Sequence, residues 1–352
     1  MSSLATKDHD FQKSLLPNPN NFFTELLSTL PKQNRVGTLR DLYKYQGFWY
    51  SSIILTGVTQ AQKQFQALPT DIIIAGGPKT GNTWLKALCF AIATRKRYQD
   101  DHDHQIENHP LLSNLPHSLV PFLEVDFLKD TPTITNTREH TLLSTHMPYT
   151  SLPESIPSCG CKIIYICREP KDTFVSQWHF AKRLDELRSA RSGSEMKLDS
   201  SLIYHDEFNL FCEGKTSWGP YWDHVLGYYK ASLDKPDMFL FLKYEELKAD
   251  TVFYVRKMAE FMCEPFSNEE EHEGMPEKIV RMCSFQSLSG LEVNKTGKFR
   301  PIGHVELDNC AYFRQGNTGD WKYHLTPEMA ERIDTIKEEK LRGSGFSFGL
   351  DT

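Results

Sequence analysis

One stretch constrains the fold more than any other. Residues 71–94 open with the apolar run Ile72-Ile-Ile74, pass through a tight loop carrying Gly76, Gly77, Pro78, Lys79, Thr80 and Gly81, and continue into Trp84, Leu85, Leu88 and Ile92 at helical spacing. Strand, glycine loop and helix in this order make an anion cradle, because loop amides and the helix N-terminus converge on one point. Lys79 adds a formal charge and Thr83 a hydroxyl. The loop is not a nucleoside-triphosphate loop. Gly76 and Gly81 have the required spacing, but Asn82 stands where that motif needs lysine.

Further apolar strands end in polar residues. Thr141–Thr145 ends at His146, followed by Met147 and Pro148. Lys162–Cys167 ends at Arg168 and leads into a helix whose first turn holds Pro170 and Asp172, with Ser176 further on. Met238–Lys243 ends at Tyr244-Glu-Glu246, and a helix is expected over Val252–Phe261. Strands alternating with helices predict an α/β fold, a single domain with a central, mainly parallel sheet covered by helices on both faces. Ligands of such sheets sit at the carboxyl ends of strands, where His146 and Arg168 fall.

The rest of the chain reads as support. Residues 1–20 read as a flexible tail before a domain over 21–352, and a short helix is expected over Phe22–Leu30. The aromatic run Tyr43–Tyr50 fits either core packing or a wall for an aromatic ligand. Asn108–Asp130 reads as a connector with short helical pieces, residues 181–206 as a charged, mobile excursion, and Asn294–Asn309 as a polar loop. Glycines surround Arg314 in the 311–321 stretch, which allows a second anion nest. Thr326-Pro-Glu-Met329 carries the capping signature of a helix start.

Composition narrows the function. With 40 Lys+Arg against 46 Asp+Glu the formal charge is −6, which argues against a nucleic-acid binder. No apolar run approaches a membrane span, no secretory leader is visible, and the eight scattered cysteines suit reduced thiols, so a cytoplasmic protein with no membrane partner is expected. Asp100-Asp-His-Asp-His104 is a charged cluster without a spaced partner set, and no metal is expected.

Taken together, the motifs resemble the soluble sulfotransferases, the plant cytosolic branch above all, including members acting on flavonoids and desulfoglucosinolates. The resemblance runs from about residue 40 to 348. Its elements are Pro78-Lys-Thr-Gly-Asn-Thr-Trp84, Thr145-His-Met-Pro148, Arg168 to Ser176, Tyr244-Glu-Glu246, Cys283-Ser-Phe285 and Arg314-Gln-Gly-Asn-Thr-Gly-Asp-Trp321, in family order. It implies transfer of a sulfuryl group from 3′-phosphoadenosine 5′-phosphosulfate (PAPS) to the hydroxyl of a small acceptor, with the bisphosphate (PAP) as product and no metal. Carried over, Lys79, Thr80, Gly81, Asn82 and Thr83 hold the 5′-phosphosulfate. Trp84, Tyr244, Cys283 and Phe285 frame the adenine. Arg168, Ser176, Arg314, Gln315 and Gly316 meet the 3′-phosphate. His146 is the general base, and Lys79 also stabilises the transferring group. The implied acceptor is a flavonoid, another phenolic, a steroid or a desulfoglucosinolate.

The sequence departs from the family pattern at four places. Asn82 replaces a threonine, Gln315 replaces a lysine, and Gly77 stands where many members carry an aromatic, which is expected to widen the acceptor side. Pro327 interrupts the dimer motif of animal members, so a monomer is expected. The departures leave a second reading, a weakened member that binds nucleotide or acceptor without efficient turnover. A small-molecule kinase would need a Walker lysine and an acidic magnesium ligand at a strand end, where this chain has Arg168.

Overall fold

The computed structural model describes residues 21–35, 41–98, 108–129, 132–134, 142–192, 200–302 and 305–349. The tail expected over 1–20 and the charged cluster 100–104 lie outside them. Among the described residues, no group of three or more His, Cys, Asp or Glu could hold a metal ion, and no helix is long and apolar enough to cross a membrane.

The organising strand is β4 (Ile72–Ala75), preceded by three short strands, β1 (Lys32–Gln33), β2 (Leu42–Tyr45) and β3 (Phe48–Ser51). It lies between β5 (Leu142–Thr145) and β6 (Lys162–Cys167), and β7 (Phe239–Lys243) pairs with β6, giving the order β5-β4-β6-β7. All three pairings are parallel, as the alternating pattern predicts. Ala75 is opposite Thr145 on one side and Tyr165 on the other. Gly76 and His146 therefore emerge side by side, with Arg168 and Tyr244 following the two neighbouring strands at the same edge.

A parallel sheet covered on both faces needs apolar residues at every position, and period-two alternation assigns them to two cores. Ile72, Ile74, Ile164, Ile166, Leu240 and Leu242 face one core together with Leu85, Leu88 and Ile92 of the helix Asn82–Thr94. Ile73, Ala75, Leu143, Ile163, Tyr165 and Cys167 face the other, against Trp222, Val225 and Tyr228 of the helix Tyr221–Asp234. The helix Pro327–Leu341 begins as its sequence predicts, with the Thr326 hydroxyl accepting from the Met329 amide at 3.3 Å.

One open expectation is settled and two change. The aromatic run 43–50 is a hairpin, β2 and β3, turned by Gln46 and Gly47, both at positive φ. Phe48 and Tyr50 are buried in the core, so packing is what the run does. Residues 181–206 are not an excursion where they are described. The helix Pro170–Ser192 continues through the first part and the helix Ser200–Cys212 takes up the last. Lys, Arg, Leu, Glu and Ala are strong helix formers, and the dense charge masked that propensity. The loop expected over 294–309 holds the end of the helix Glu292–Thr296 and an antiparallel pair, β8 (Lys298–Ile302) and β9 (Val305–Asp308). Its charges pair across the strands, Glu306 meeting Lys298 at 2.9 Å and Arg300 at 2.8 Å, while Phe299 lies opposite Leu307.

Candidate active site at the carboxyl edge of the sheet

The glycine loop is braced from within. Gly77 O accepts from the Thr80 hydroxyl at 2.8 Å and from the Asn82 side-chain amide at 2.7 Å. Gln177 Nε2 donates to Pro78 O at 3.1 Å. These bonds hold Lys79 at φ 66, a left-handed conformation that a non-glycine residue rarely adopts. Gly81 is obligatory by shape: its φ is 114, and a Cβ there would lie 2.7 Å from Tyr244 Cδ2.

The loop forms one wall of a cavity of about 620 Å³. One end is cationic, lined by Lys79, Arg168, Lys248, Arg314 and the turn Gln315-Gly-Asn317, with Ser176 beside them. Trp84, Tyr244 and Phe285 line the same region, with the Trp84 and Tyr244 rings edge to face at 5.6 Å. The other end is aromatic and apolar, walled by Ile54, Phe122, Phe180, Trp218, Phe299, Leu307 and Tyr312. His146 lines the cavity as well.

Most residues expected at the site are thus gathered in one cavity: Lys79, Gly81, Asn82, Thr83, Trp84, His146, Arg168, Ser176, Tyr244, Phe285, Arg314, Gln315 and Gly316. Two are placed differently. Thr80 is fully buried with its hydroxyl spent on Gly77 O, so its side chain braces the loop. Cys283 is fully buried in the core under the sheet, and its neighbours Ser284 and Phe285 reach the cavity instead. Gly77 itself is not part of the cavity wall, and a Cβ there would be 3.6 Å from the Tyr221 ring. None of residues 43–50 lines the cavity, whereas Phe299, Pro301 and Leu307 of the expected loop do.

His146 is fixed by five neighbours around its backbone and ring. Its amide donates to Glu124 Oε1 at 2.8 Å, and its carbonyl accepts from His224 Nε2 at 3.0 Å. Its Nδ1 lies 2.6 Å from Gly76 O. A carbonyl can only accept, so Nδ1 carries the proton and Nε2 keeps its lone pair. Phe122 and Trp218 flank the ring at 4.5 and 5.7 Å. Burial pushes its pKa down to about 3, opposed by the bond to Gly76 and reinforced by Lys86, His224 and Lys79. The imidazole is therefore neutral at ordinary pH.

Lys79 is perturbed in the same direction. Burial, then the charges of Arg168 and Arg314, lower its pKa to about 7. Its ammonium lies 4.3 Å from the Phe180 ring centre and 5.7 Å from that of Tyr312, and it has no carboxylate partner among the described residues.

The sulfotransferase domain profile matches residues 69–345 of the chain. The chain belongs to the sulfotransferase family. Flavonol 3-sulfotransferase of Flaveria bidentis is 43% identical over 324 residues, covering 91% of this chain and 98% of its own. Cytosolic sulfotransferase 17 of Arabidopsis thaliana is 43% identical over 325 residues, covering 92% and 89%. The crystal structure of an Arabidopsis thaliana protein, solved as a candidate steroid sulphotransferase, aligns with a TM-score of 0.69 at 35% identity, covering 95% of this chain and 100% of that one. The family's activity, sulfuryl transfer to a small acceptor, is that of an enzyme of the transferase class.

The cationic end of this sulfotransferase fits a polyanionic donor by its own geometry. Arg168 is held by Asn317 O at 2.5 Å and Asp172 at 3.3 Å, and Arg314 by Asp320 at 2.6 Å. Each keeps a buried Nε–H without a hydrogen-bond partner. Buried donors left unsatisfied are costly, and an anion accepting from them removes that cost.

Several residues at the site escaped the sequence reading, chiefly Lys86, His117, Glu124 and Lys248. The available signal was a charge inside an apolar run, as in Leu85-Lys-Ala-Leu88 and Phe122-Leu-Glu-Val125. Such charges are buried only with partners.

Proposed function

We propose that this sulfotransferase uses PAPS as donor and a flat, apolar hydroxylated molecule as acceptor, with His146 as general base and Lys79 stabilising the transferring group. The observation that carries the reading is the fixed tautomer of His146, whose Nδ1 donates to Gly76 O at 2.6 Å and whose Nε2 is left as the free base. The donor, when bound, supplies a sulfuryl group joined to a good phosphate leaving group.

Each residue then has a physical task. His146 Nε2 takes the proton of the acceptor hydroxyl as that oxygen becomes the nucleophile. Lys79 and the loop amides counter the charge that builds on the bridging oxygen. Arg168, Ser176, Arg314 and the Gly316 amide hold the 3′-phosphate. Trp84, Tyr244 and Phe285 frame the adenine. The aromatic end favours a flavonoid, another phenolic or a steroid, since flat rings pack well among Phe122, Phe180, Trp218 and Tyr312. A desulfoglucosinolate is the more polar alternative. The protein acts as a monomer in the cytoplasm, needing neither metal nor membrane.

Titration calorimetry with adenosine 3′,5′-bisphosphate, paired with a sulfate-transfer assay from labelled PAPS over an acceptor panel, tests the reading. The wild type binds the bisphosphate and transfers, whereas His146→Ala binds equally and does not transfer. Unchanged transfer in His146→Ala removes the assigned base. Binding without transfer to any acceptor in the wild type favours the weakened-member reading instead.

A further inference from the structure

From the cavity wall, where Thr83 and His117 line it, a buried polar chain that the mechanism above does not use runs inwards to Lys86. Thr83 Oγ1 lies 3.0 Å from His117 Nε2. His117 Nδ1 lies 3.0 Å from Lys86 Nζ, and Lys86 Nζ donates to Val120 O at 2.9 Å. Thr83 and Lys86 stand one turn apart on the helix that leaves the glycine loop, so both project to the same side. Lys86 is fully buried with its nitrogen 3.2 Å from the Phe122 ring centre. His117 is also buried, stacked on Phe122 at 5.3 Å and packed against Tyr312 at 4.4 Å.

The ends of the chain set its direction. Val120 O can only accept. A phosphate or sulfate oxygen at the loop can only accept as well. With an anion in place, Thr83 must give its hydroxyl proton to the anion, so its oxygen must accept from His117 Nε2–H. A neutral imidazole protonated on Nε2 has a bare Nδ1, which must accept from Lys86. Burial holds the Lys86 pKa well below that of an ordinary lysine. Charged or neutral, the amine keeps at least two N–H groups, enough for Val120 O and His117 Nδ1.

We propose that Lys86 and His117 form a fixed donor relay that turns the Thr83 hydroxyl proton into the anion end of the cavity, making both of them positioning residues for the 5′-phosphate of the donor. The inference rests on the donor reading given above. The relay explains why a lysine is kept fully buried with no carboxylate within hydrogen-bonding distance among the described residues. It also explains why a histidine with both ring nitrogens engaged sits behind the loop: the two residues remove the rotational freedom of one hydroxyl. Without Lys86 the imidazole could take its other tautomer, and Thr83 could turn its proton towards a bare His117 Nε2 and present a lone pair to the anion.

A double-mutant cycle read by calorimetry with adenosine 3′,5′-bisphosphate tests the relay. Thr83→Val, His117→Phe and Lys86→Met each weaken binding by about tenfold, the scale of one hydrogen bond to a charged group. In the Thr83→Val background, neither His117→Phe nor Lys86→Met weakens binding further, because both act through the lost hydroxyl. His117→Gln, whose amide can donate to Thr83 and accept from Lys86, stays within about threefold of wild type. Melting curves confirm folding, and the cycle is run with Lys86→Met should His117→Phe not fold. Singles that add to about a hundredfold loss in the double variant, or a His117→Phe or Lys86→Met protein that binds like wild type, overturn the relay and leave the donor reading intact. A wild type that does not bind the bisphosphate overturns both.

Discussion

On the donor reading proposed above, Lys79 makes donor binding a proton-linked event. Its ammonium stands over Phe180 and near Tyr312, and burial together with Arg168 and Arg314 brings its pKa from 10.5 to about 7 in the ligand-free protein. A phosphate at the loop reverses the dominant electrostatics and restores a pKa near that of an ordinary lysine, about 10. Below pH 7 the free and bound forms both carry the proton, so the group adds no pH dependence. Between pH 7 and about 10 the free form is neutral and the bound form charged, so binding takes up a proton and affinity falls by about tenfold per pH unit. The ligand's own phosphates lose their second protons near pH 6 and stay constant above pH 7. At pH 7 half of the free lysine is already neutral, so from pH 7 to pH 9 the expected loss is about fiftyfold, or ~2.3 kcal/mol.

The assay is calorimetric titration with adenosine 3′,5′-bisphosphate at several pH values, in buffers of different ionisation enthalpy. Near pH 8.5 the wild type takes up close to one proton per ligand bound, and Lys79→Met binds more weakly with a flat profile. The same lysine acts on folding with the opposite sign. The unfolded chain holds its proton up to pH 10.5, so the ligand-free fold gains stability from this group as pH rises above 7. A wild-type affinity that is flat from pH 7 to 9, with no buffer-dependent heat, refutes the reasoning.

Two further outcomes follow from the same geometry. Glu124 is fully buried, with its oxygens accepting from the His146 amide at 2.8 Å and the Thr145 hydroxyl at 2.9 Å. Glu124→Ala leaves two buried donors unpaired and costs about 2–4 kcal/mol, so its melting temperature falls, and transfer falls more than bisphosphate affinity. Glu124→Gln recovers part of each. Gly81→Ala forces a Cβ to 2.7 Å from Tyr244 at a positive φ and weakens bisphosphate binding by at least about tenfold, as expected for about 1–3 kcal/mol of strain in the loop. The measurement is again calorimetry, with Thr83→Ser as the mild control.

The sheet was legible because its strands are nearly all apolar and each ends abruptly in a polar residue. Ile72–Ala75 and Lys162–Cys167 could be assigned from pattern alone, and parallel pairing then brought Gly76, His146, Arg168 and Tyr244 to one edge. The aromatic end of the cavity was illegible for the converse reason. Its walls come from single side chains far apart in sequence, Phe122, Phe180, Trp218, Phe299 and Tyr312, each in a segment whose local pattern is ordinary. The aromatic-rich run 43–50 drew attention by density, yet a strand of a two-sided hairpin buries such residues without any ligand. Charged segments misled in the same way. The ion pairs of β8 and β9 decorate one face of a hairpin whose other face carries Phe299 to the cavity.

Asn82 and Gln315, two of the departures noted from the sequence, each have neighbours that bear on their effect. Asn82 puts its amide on Gly77 O at 2.7 Å and the Thr80 hydroxyl at 3.2 Å, so it stiffens the loop while its backbone N–H stays at the start of the helix. Its Oδ1 is buried without a partner and would meet a Cβ at Gly76 at 2.9 Å, so the bracing is also what excludes a larger residue there. Gln315 is exposed at the rim, where a lysine charge would be screened by water. The cation that position lacks stands next to it: the Lys248 ammonium donates to Gly316 O and, at 3.2 Å, to Asn317 Oδ1, and it lines the same end of the cavity. Burial and then the charge of Arg168 lower the Lys248 pKa, opposed by Asp172. The positive field at that end is thus carried by Arg168, Arg314 and Lys248 on three separate elements, so the change at 315 removes an exposed charge and leaves the more buried ones in place.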